Sequence, residues 1–486
     1  MRFAAISLLV PVLVLAGCAS SAAAPERPPG STVQTTLVDR NGDGVLEAGP
    51  GEALVARTEL APAGRIRRTI TTFAQISDLH VVDEESPLRV EPLDRLGGSV
   101  RSAFRPQEAL STQVLAATLA SINDQHPSLL LATGDLVDNA QLDELQWALA
   151  TLRGGRVHPD SGRAGYDGLQ QAASADPFLY RPAVDAPRHP GLLTQAQAAF
   201  TSPGAAMPYL LFPSNHDLLV QGNLHVDARL RSLATGTRKL VEPAPWVLEA
   251  ARTGTLGLDS VEQALAAPGR ERDVPADPAR RPFEPAEMLA ELARADAAEL
   301  TDGYLLLDRP LAPGVRLLTL DTSSRVRGSD GELPESELVW LARKLQEHAT
   351  DRIVVMSPTP LENTRGGDRA FALLDARPGV LAVIAGDTHR NAISPHASAH
   401  GGYWLVRASS LADFPQQARM YRIVELDDGR IALQTWVVDQ AGSTSAHGWL
   451  GLAGISRDLA FLDSQGGRPL HERGTRLDRN ATLFLP

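Results

Sequence analysis

An alternating α/β fold built on two sheets is what this chain predicts, and three observations predict it. Short apolar runs recur along the sequence, an amphipathic helix joins the first two of them, and several runs break off into polar clusters holding Asp, Asn or His. TITTFAQIS (69–77) reads as a strand. Pro106 to Asp124 carries Leu110, Val114, Leu115, Leu119 and Ile122 at the spacing of one helical face, and LLLAT (129–133) reads as a buried strand. This is a β-α-β unit, hence a parallel pair. Further strands are expected at YLLFP (209–213), VRLLTL (315–320), RIVVMS (352–357), VLAVIAG (380–386), YWLVRAS (403–409), MYRIVEL (420–426) and IALQTWVV (431–438). That number suits a two-sheet sandwich better than one short sheet. Two insertions, about 145–205 and 219–305, interrupt the pattern; the second contains the amphipathic stretch PAEMLAELARADAAEL. No internal repeat is evident.

At 486 residues the chain can bury a large core, as one α/β domain with insertions or as two domains. Its net charge of -12 argues against a nucleic-acid surface, which needs a basic face to displace counterions. Arg supplies nearly all the positive charge, Lys occurring only at 239 and 344. The N-terminus reads as an export signal: Arg2, then an apolar stretch from Phe3 to Leu15, too short to span a bilayer. Leu15-Ala16-Gly17-Cys18 follows and resembles a bacterial lipobox, with Cys18 as the lipidated residue and 1–18 as the signal segment. Cys18 is the only cysteine, so no internal disulfide competes for it. The alternative is a soluble export signal with an incidental cysteine. A tether rich in Ala, Ser and Pro runs from Ala19 to about Thr32 within an N-terminal segment 19–68, and 441–486 forms a C-terminal extension. The expected location is the bacterial cell envelope, anchored to the membrane by lipid.

Asp39, Asn41 and Asp43, with Gly44 at the sixth position, begin in the manner of a calcium loop. Position twelve, however, is Pro50 instead of a bidentate Glu. The stretch therefore reads as a calcium loop or as an Asx-rich turn, the latter being favoured.

The chemistry gathers where strands end. The first gives Asp78-Leu79-His80, the next Gly134-Asp135-Leu136-Val137-Asp138-Asn139, a third Asn215-His216-Asp217, and a later one Gly386-Asp387-Thr388-His389. Open α/β sheets bind ligands at the carboxyl ends of their strands. Carboxylates and imidazoles drawn from several strand ends can hold two cations about 3.5–4 Å apart with one carboxylate bridging. Asp135 is the natural bridge.

In order and spacing these motifs resemble the calcineurin-like metallophosphoesterase superfamily, over Phe73 to about Val438. The resemblance implies a four-layer α/β/β/α sandwich, a domain of 69–440 with insertions, that hydrolyses small phosphate esters with two divalent or trivalent metal ions. It implies that Asp78, His80, Asp135 and His389 hold the first ion (Fe, Mn or Zn), and that Asp135 and Asn215 serve the second. It also implies that His216 protonates the leaving oxygen and that Asp138 orients His216.

The sequence departs from the family at three places. Ser214 replaces a usual Gly before Asn-His, Pro358 and Thr359 stand where a strand-end His is expected, and Asp387 replaces the first His of Gly-His-x-His. If Asp387 reaches the second ion, that site becomes all-oxygen and favours Mn, Ca or Mg. His396 and His400 read as surface residues. The rival reading is a noncatalytic envelope protein that keeps the fold to bind a metal or ligand. A serine hydrolase is disfavoured, since no Gly-x-Ser-x-Gly elbow occurs, and a transporter by the lack of a later spanning segment.

Overall fold

The structure is a computed structural model that describes residues 30–96, 103–174, 176, 178–266, 269–296, 300–326, 328–463 and 472–486. The signal segment, Cys18 and most of the tether lie outside the described residues.

Two sheets form the centre. Their strands, in chain order, are β1 (Val55–Arg57), β2 (Ile66–Ile76), β3 (Leu130–Thr133), β4 (Tyr209–Phe212), β5 (Leu307–Ala312), β6 (Val315–Thr319), β7 (Arg352–Ser357), β8 (Val380–Ala385), β9 (Ala392–His396), β10 (Tyr403–Arg407), β11 (Gln417–Leu426), β12 (Ile431–Asp439) and β13 (Ala481–Phe484). The first sheet has the order β1-β13-β12-β11-β2-β3-β4, the second β5-β6-β7-β8-β10-β9. Within them β2, β3 and β4 run parallel, as do β6, β7, β8 and β10. Every strand expected from the sequence is present, with bounds shifted by a few residues at most. β1 and β13 lie outside the expected limits of 69–440, so those limits are too narrow for the sheet.

Side-chain alternation explains the layering. Along β7, Val354 and Met356 point into one core, shared with Phe73, Ile76 and Leu130 of the first sheet. Ile353 and Val355 point the other way, onto Leu338, Leu341 and Leu345 of a helix over Glu335–Glu347 and Leu374 of a helix over Gly367–Asp375. A strand buried on both faces must be apolar without a break, which is why RIVVMS showed no alternation. On the far side of the first sheet, the helix over Ser111–Asn123 packs against β11 and β12 and against a helix over Leu142–Arg153. The result is four layers, helix, sheet, sheet, helix.

The insertions are fastened to one segment. Leu88, Val90 and Leu93 share a core with Val220, Leu230, Leu240, Val247 and Val261 of the second insertion. Lys239, fully buried, pairs with Glu91 at 2.9 Å and donates to the carbonyls of Glu84 (2.9 Å) and Ser86 (2.7 Å). Arg280, also fully buried, holds Asp83 at 2.8 Å and the hydroxyl of Ser161 in the first insertion at 2.8 Å. The Asp39 loop turns its oxygens onto its own amides. Asp39 accepts from Gly42 and Gly44, Asn41 from Asp43, and Asp43 from Val45. That is the Asx-turn arrangement.

Removing one partner of a buried pair leaves the other as an uncompensated charge, at a cost of about 3–5 kcal/mol. Lys239→Ala should therefore lower stability by about that amount in urea or thermal unfolding. A change within about 0.5 kcal/mol, typical of an inert surface site, would show that Lys239 fastens nothing.

Candidate metal centre

The loops that follow β2, β3, β4 and β8 meet at the carboxyl edge where the two sheets come together. Asp78, His80, Asp135, Asp387 and His389 all have positive φ, between 44° and 64°. Left-handed backbone is uncommon outside glycine, with Asp, Asn and His the residues that best tolerate it. Each such residue costs about 1–3 kcal/mol and persists only where its surroundings over-determine it. The surroundings are main-chain bonds between the loops. Asp78 donates to Gly134 O at 3.1 Å, His80 to Asp135 O at 2.9 Å, and Asp387 to both carboxylate oxygens of Asp78 at 3.0 and 3.1 Å. A Cβ on Gly386 would overlap Ser77 Oγ and stand 3.1 Å from Asp78 Oδ2, so only glycine lets β8 approach so closely.

His80 Nε2 and His389 Nε2 face each other at 3.2 Å. Each ring's other nitrogen is taken by a carboxylate, His80 Nδ1 by Asp138 at 2.8 Å and His389 Nδ1 by Asp413 at 2.5 Å. A carboxylate only accepts, so each ring presents its Nδ1 proton to one and turns Nε2 toward the other ring. Two nitrogens at that distance need a positive centre between them, a shared proton or a metal ion. Ligands about 2.1 Å from one ion and at right angles stand about 3 Å apart, so the pair has the separation of neighbouring ligands. Asp78 Oδ1 is 3.7 Å from His389 Nε2, and Asp135 Oδ2 is 3.9 Å from His80 Nε2. Asp78, His80 and His389 are thus brought together, with Asp135 beside His80.

The electrostatics agree. Burial pushes Asp78, Asp135 and Asp387 each up to about 7, and for Asp135 and Asp387 the charge of Asp78 adds to it. Carboxylates crowded in this way call for positive charge. Burial and the nearby His216 keep His80 well below the ordinary imidazole range, hence neutral and able to ligate. His216 differs: burial opposes its charge, but Asp135 and Asp138 outweigh burial and push it up to about 9.

For the second ion the structure is less complete. Asn215 begins a short helix, Asn215–Leu218, capped by a reciprocal box between Ser214 and Asp217. Ser214 is extended, with φ at -130°, so glycine is not required there. Asn215 Nδ2 donates to Gly222 O at 3.0 Å, which turns its oxygen the other way, where it accepts from Ser214 Oγ at 3.1 Å. Pro358 sits at the end of β7 beside Gly134 and accepts from Gly386 N at 2.9 Å, so the position where a histidine was expected offers no side-chain ligand. Asp387 is tied to Asp78 through its backbone N–H, and its carboxylate feels the charges of Asp78, His389 and His216.

Asp138 does more than orient His216. Its carboxylate binds His80 and Arg89. It reaches His216 chiefly through its carbonyl, 2.9 Å from Nδ1, with Oδ1 farther off at 3.3 Å. Residues beside the site also went unread in the sequence. Asp413, the partner of His389, lies in a loop with no motif of its own, and Gly222 closes over Asn215 and His216 so tightly that a Cβ would overlap both. His396 stacks on Phe371 and Tyr403, and His400 bonds Ala376 O. Both lie at the opposite edge of the sheet. Among the described residues, Asp308, Glu347 and His348 also converge, but Arg316, Lys344 and His348 already surround Asp308.

Neither a family model nor a curated protein sequence matches the chain. Solved structures similar to it include a dimetal phosphatase from Danio rerio, at TM-score 0.39 and 12% identity, covering 77% of this chain and 97% of that one. Purple acid phosphatase PPD1 from yellow lupin seeds gives 0.32 and 9%, over 76% and 52%. The Thermus thermophilus sulfate thiohydrolase SoxB gives 0.29 and 12%, over 84% and 62%.

Because Gly386 admits no side chain, Gly386→Ala should push β8 off Asp78. Stability is expected to fall by about 1–3 kcal/mol, and metal retained per chain after dialysis should fall with it. Wild-type metal content in the folded variant would show that this close approach does not set the site.

Proposed function

We propose that this chain is a metallophosphoesterase of the bacterial cell envelope that hydrolyses small phosphate esters with two bound metal ions. The observation that carries the reading is the face-to-face pair of Nε2 atoms of His80 and His389, both rings held by carboxylates, with Asp78 and Asp135 beside them. Asp78, His80, His389 and Asp135 would hold the first ion, and Asp135, Asn215 and Asp387 the second. Such ions supply Lewis acidity and balance the charge on the entering and leaving oxygens of an in-line displacement.

The chain's own residues do the rest. His216 is partly exposed at the site's edge, and its backbone N–H donates to Asp135 Oδ1 at 2.9 Å, which ties it to the bridging carboxylate. With Nδ1 held by Asp138, the ring enters the reaction protonated. As the bond from phosphorus to the leaving oxygen breaks, that oxygen takes the proton from Nε2 of His216. Positive charge bound at Asp135 weakens the carboxylate's pull on His216 and eases the transfer.

The departures at Pro358 and Asp387 favour a second site that is weaker and prefers hard cations. They also keep open a noncatalytic protein that binds one metal, and turnover separates the two. Lipid anchoring through Cys18 completes the reading, with the domain tethered by the segment that follows.

Elemental analysis of mature protein, followed by assay on generic phosphomonoester and phosphodiester substrates, tests site and activity together. His216→Asn should lower kcat by about 10²–10⁴ with metal content nearly unchanged, whereas Asp135→Asn should lower both; equal activity of His216→Asn and wild type removes His216 from its role. In a metal titration, Asp387→Ala should keep the tight ion and lose the rise in activity that added Mn²⁺ or Ca²⁺ gives the wild type. If it titrates like the wild type, Asp387 is a loop residue only. Wild-type protein should partition with membranes, and Cys18→Ser should release it or leave it unprocessed; wild-type protein found wholly soluble rejects the anchor.

A further inference from the structure

Behind the two imidazoles stands a set of residues that touch no ion. Arg89 Nη1 bonds Asp138 Oδ2, on the side away from His80. Arg105 donates from Nε to Asp413 Oδ1 at 2.8 Å, and from Nη2 to Oδ2 at 3.5 Å. Both arginines close on one oxygen: Glu108 Oε2 accepts from Arg89 Nη2 at 2.6 Å and from the main-chain N–H of Arg105 at 2.9 Å. Arg89, Arg105, Glu108, Asp138 and Asp413 are all buried. Two rows therefore start at one carboxylate, Arg89-Asp138-His80 and Arg105-Asp413-His389, and end in nitrogens 3.2 Å apart.

We infer that Arg89, Arg105 and Glu108 are positioning residues of the first metal site: through Asp138 and Asp413 they fix both imidazoles with the proton on Nδ1 and Nε2 aimed at one ion. The inference rests on the reading of the site as a metal centre and extends it to residues that no motif marks. A guanidinium stays charged and presents a planar fork, so a carboxylate it grips keeps its ionised form and its orientation where water is scarce. A carboxylate so held accepts from an imidazole N–H, which orients the ring and raises the basicity of the opposite nitrogen. Lysine, a point charge without the fork, cannot replace either arginine.

The test uses Co²⁺ as probe on metal-stripped, full-length mature protein. Affinity is read from the visible absorption of the bound ion, and the two Nδ1–H protons from hyperfine-shifted, solvent-exchangeable NMR signals. Wild type should bind one Co²⁺ tightly and show both signals. Arg105→Lys and Asp413→Asn should bind it about 10- to 100-fold more weakly and lose the signal of His389 while keeping that of His80; Arg89→Lys should do the reverse. Thermal unfolding of the metal-free variants separates this from a general loss of fold. Asp413→Asn, which is isosteric, answers the question if Arg105→Lys does not fold. Folded variants that bind Co²⁺ as the wild type does, with both signals intact, overturn the inference. Wild type that takes up no tight Co²⁺ overturns the metal-centre reading and the inference with it. Wild type that binds Co²⁺ with both signals but turns over no phosphate ester overturns the hydrolase alone.

Discussion

Two imidazoles held nitrogen to nitrogen at 3.2 Å are the constraint on which the rest of the site depends. Nothing local favours the arrangement. Nδ1 of each ring is fixed by a buried carboxylate, the Nε2 atoms oppose each other, and the flanking residues sit in left-handed backbone. At about 1–3 kcal/mol for each strained residue, five such positions are a substantial fraction of the stability of an ordinary domain, about 5–15 kcal/mol. The tightly packed cores of the two sheets hold that strain in place. A bound cation would account for the facing nitrogens, carboxylates and strain together, because it would attract every donor that the fold has forced close.

The loop from Asp83 to Leu93 links that constraint to the periphery. Its two ends carry Asp83 and Glu91, gripped by Arg280 and Lys239 of the second insertion. Between them lies Arg89, bonded to the carboxylate that holds His80. Substitutions in the insertion can therefore reach the site through packing and ion pairs alone, without contact with a ligand. Leu88, Val90 and Leu93 give the insertion a core of its own on the same loop, so the insertion is braced against the main domain.

On the proposed reading, the two cation positions would be chemically unequal. On the first side two imidazoles and two carboxylates converge, a mixed nitrogen and oxygen set open to several transition metals. On the second, Pro358 offers nothing and Asp387 offers oxygen. Asp135 would belong to both sides, and its charge also reaches His216. A change in cation on the second side would thus alter the proton donor as well, which couples metal identity to acid strength.

The residues by themselves determined much. Unbroken apolar runs such as RIVVMS and VLAVIAG marked doubly covered parallel strands, since only a strand buried on both faces lacks alternation. Asp and His placed directly after those runs marked the carboxyl edge of the sheets. Both signals are local, so they survive in one dimension. β1, β5, β9 and β13 were not legible because a few residues at or next to a sheet edge carry no periodicity, and their strand character comes from the partner they pair with. Asp413, Arg89, Arg105 and Glu108 were not legible for a related reason. A carboxylate behind a ligand has no required spacing from it in the chain, only a required position in space, and Asp413 is 24 residues from His389 while Asp138 is 58 from His80. The sequence determined which side chains can ligate; the meeting of two sheets decided which nitrogen of each imidazole faces the ion and which buried charges keep it there.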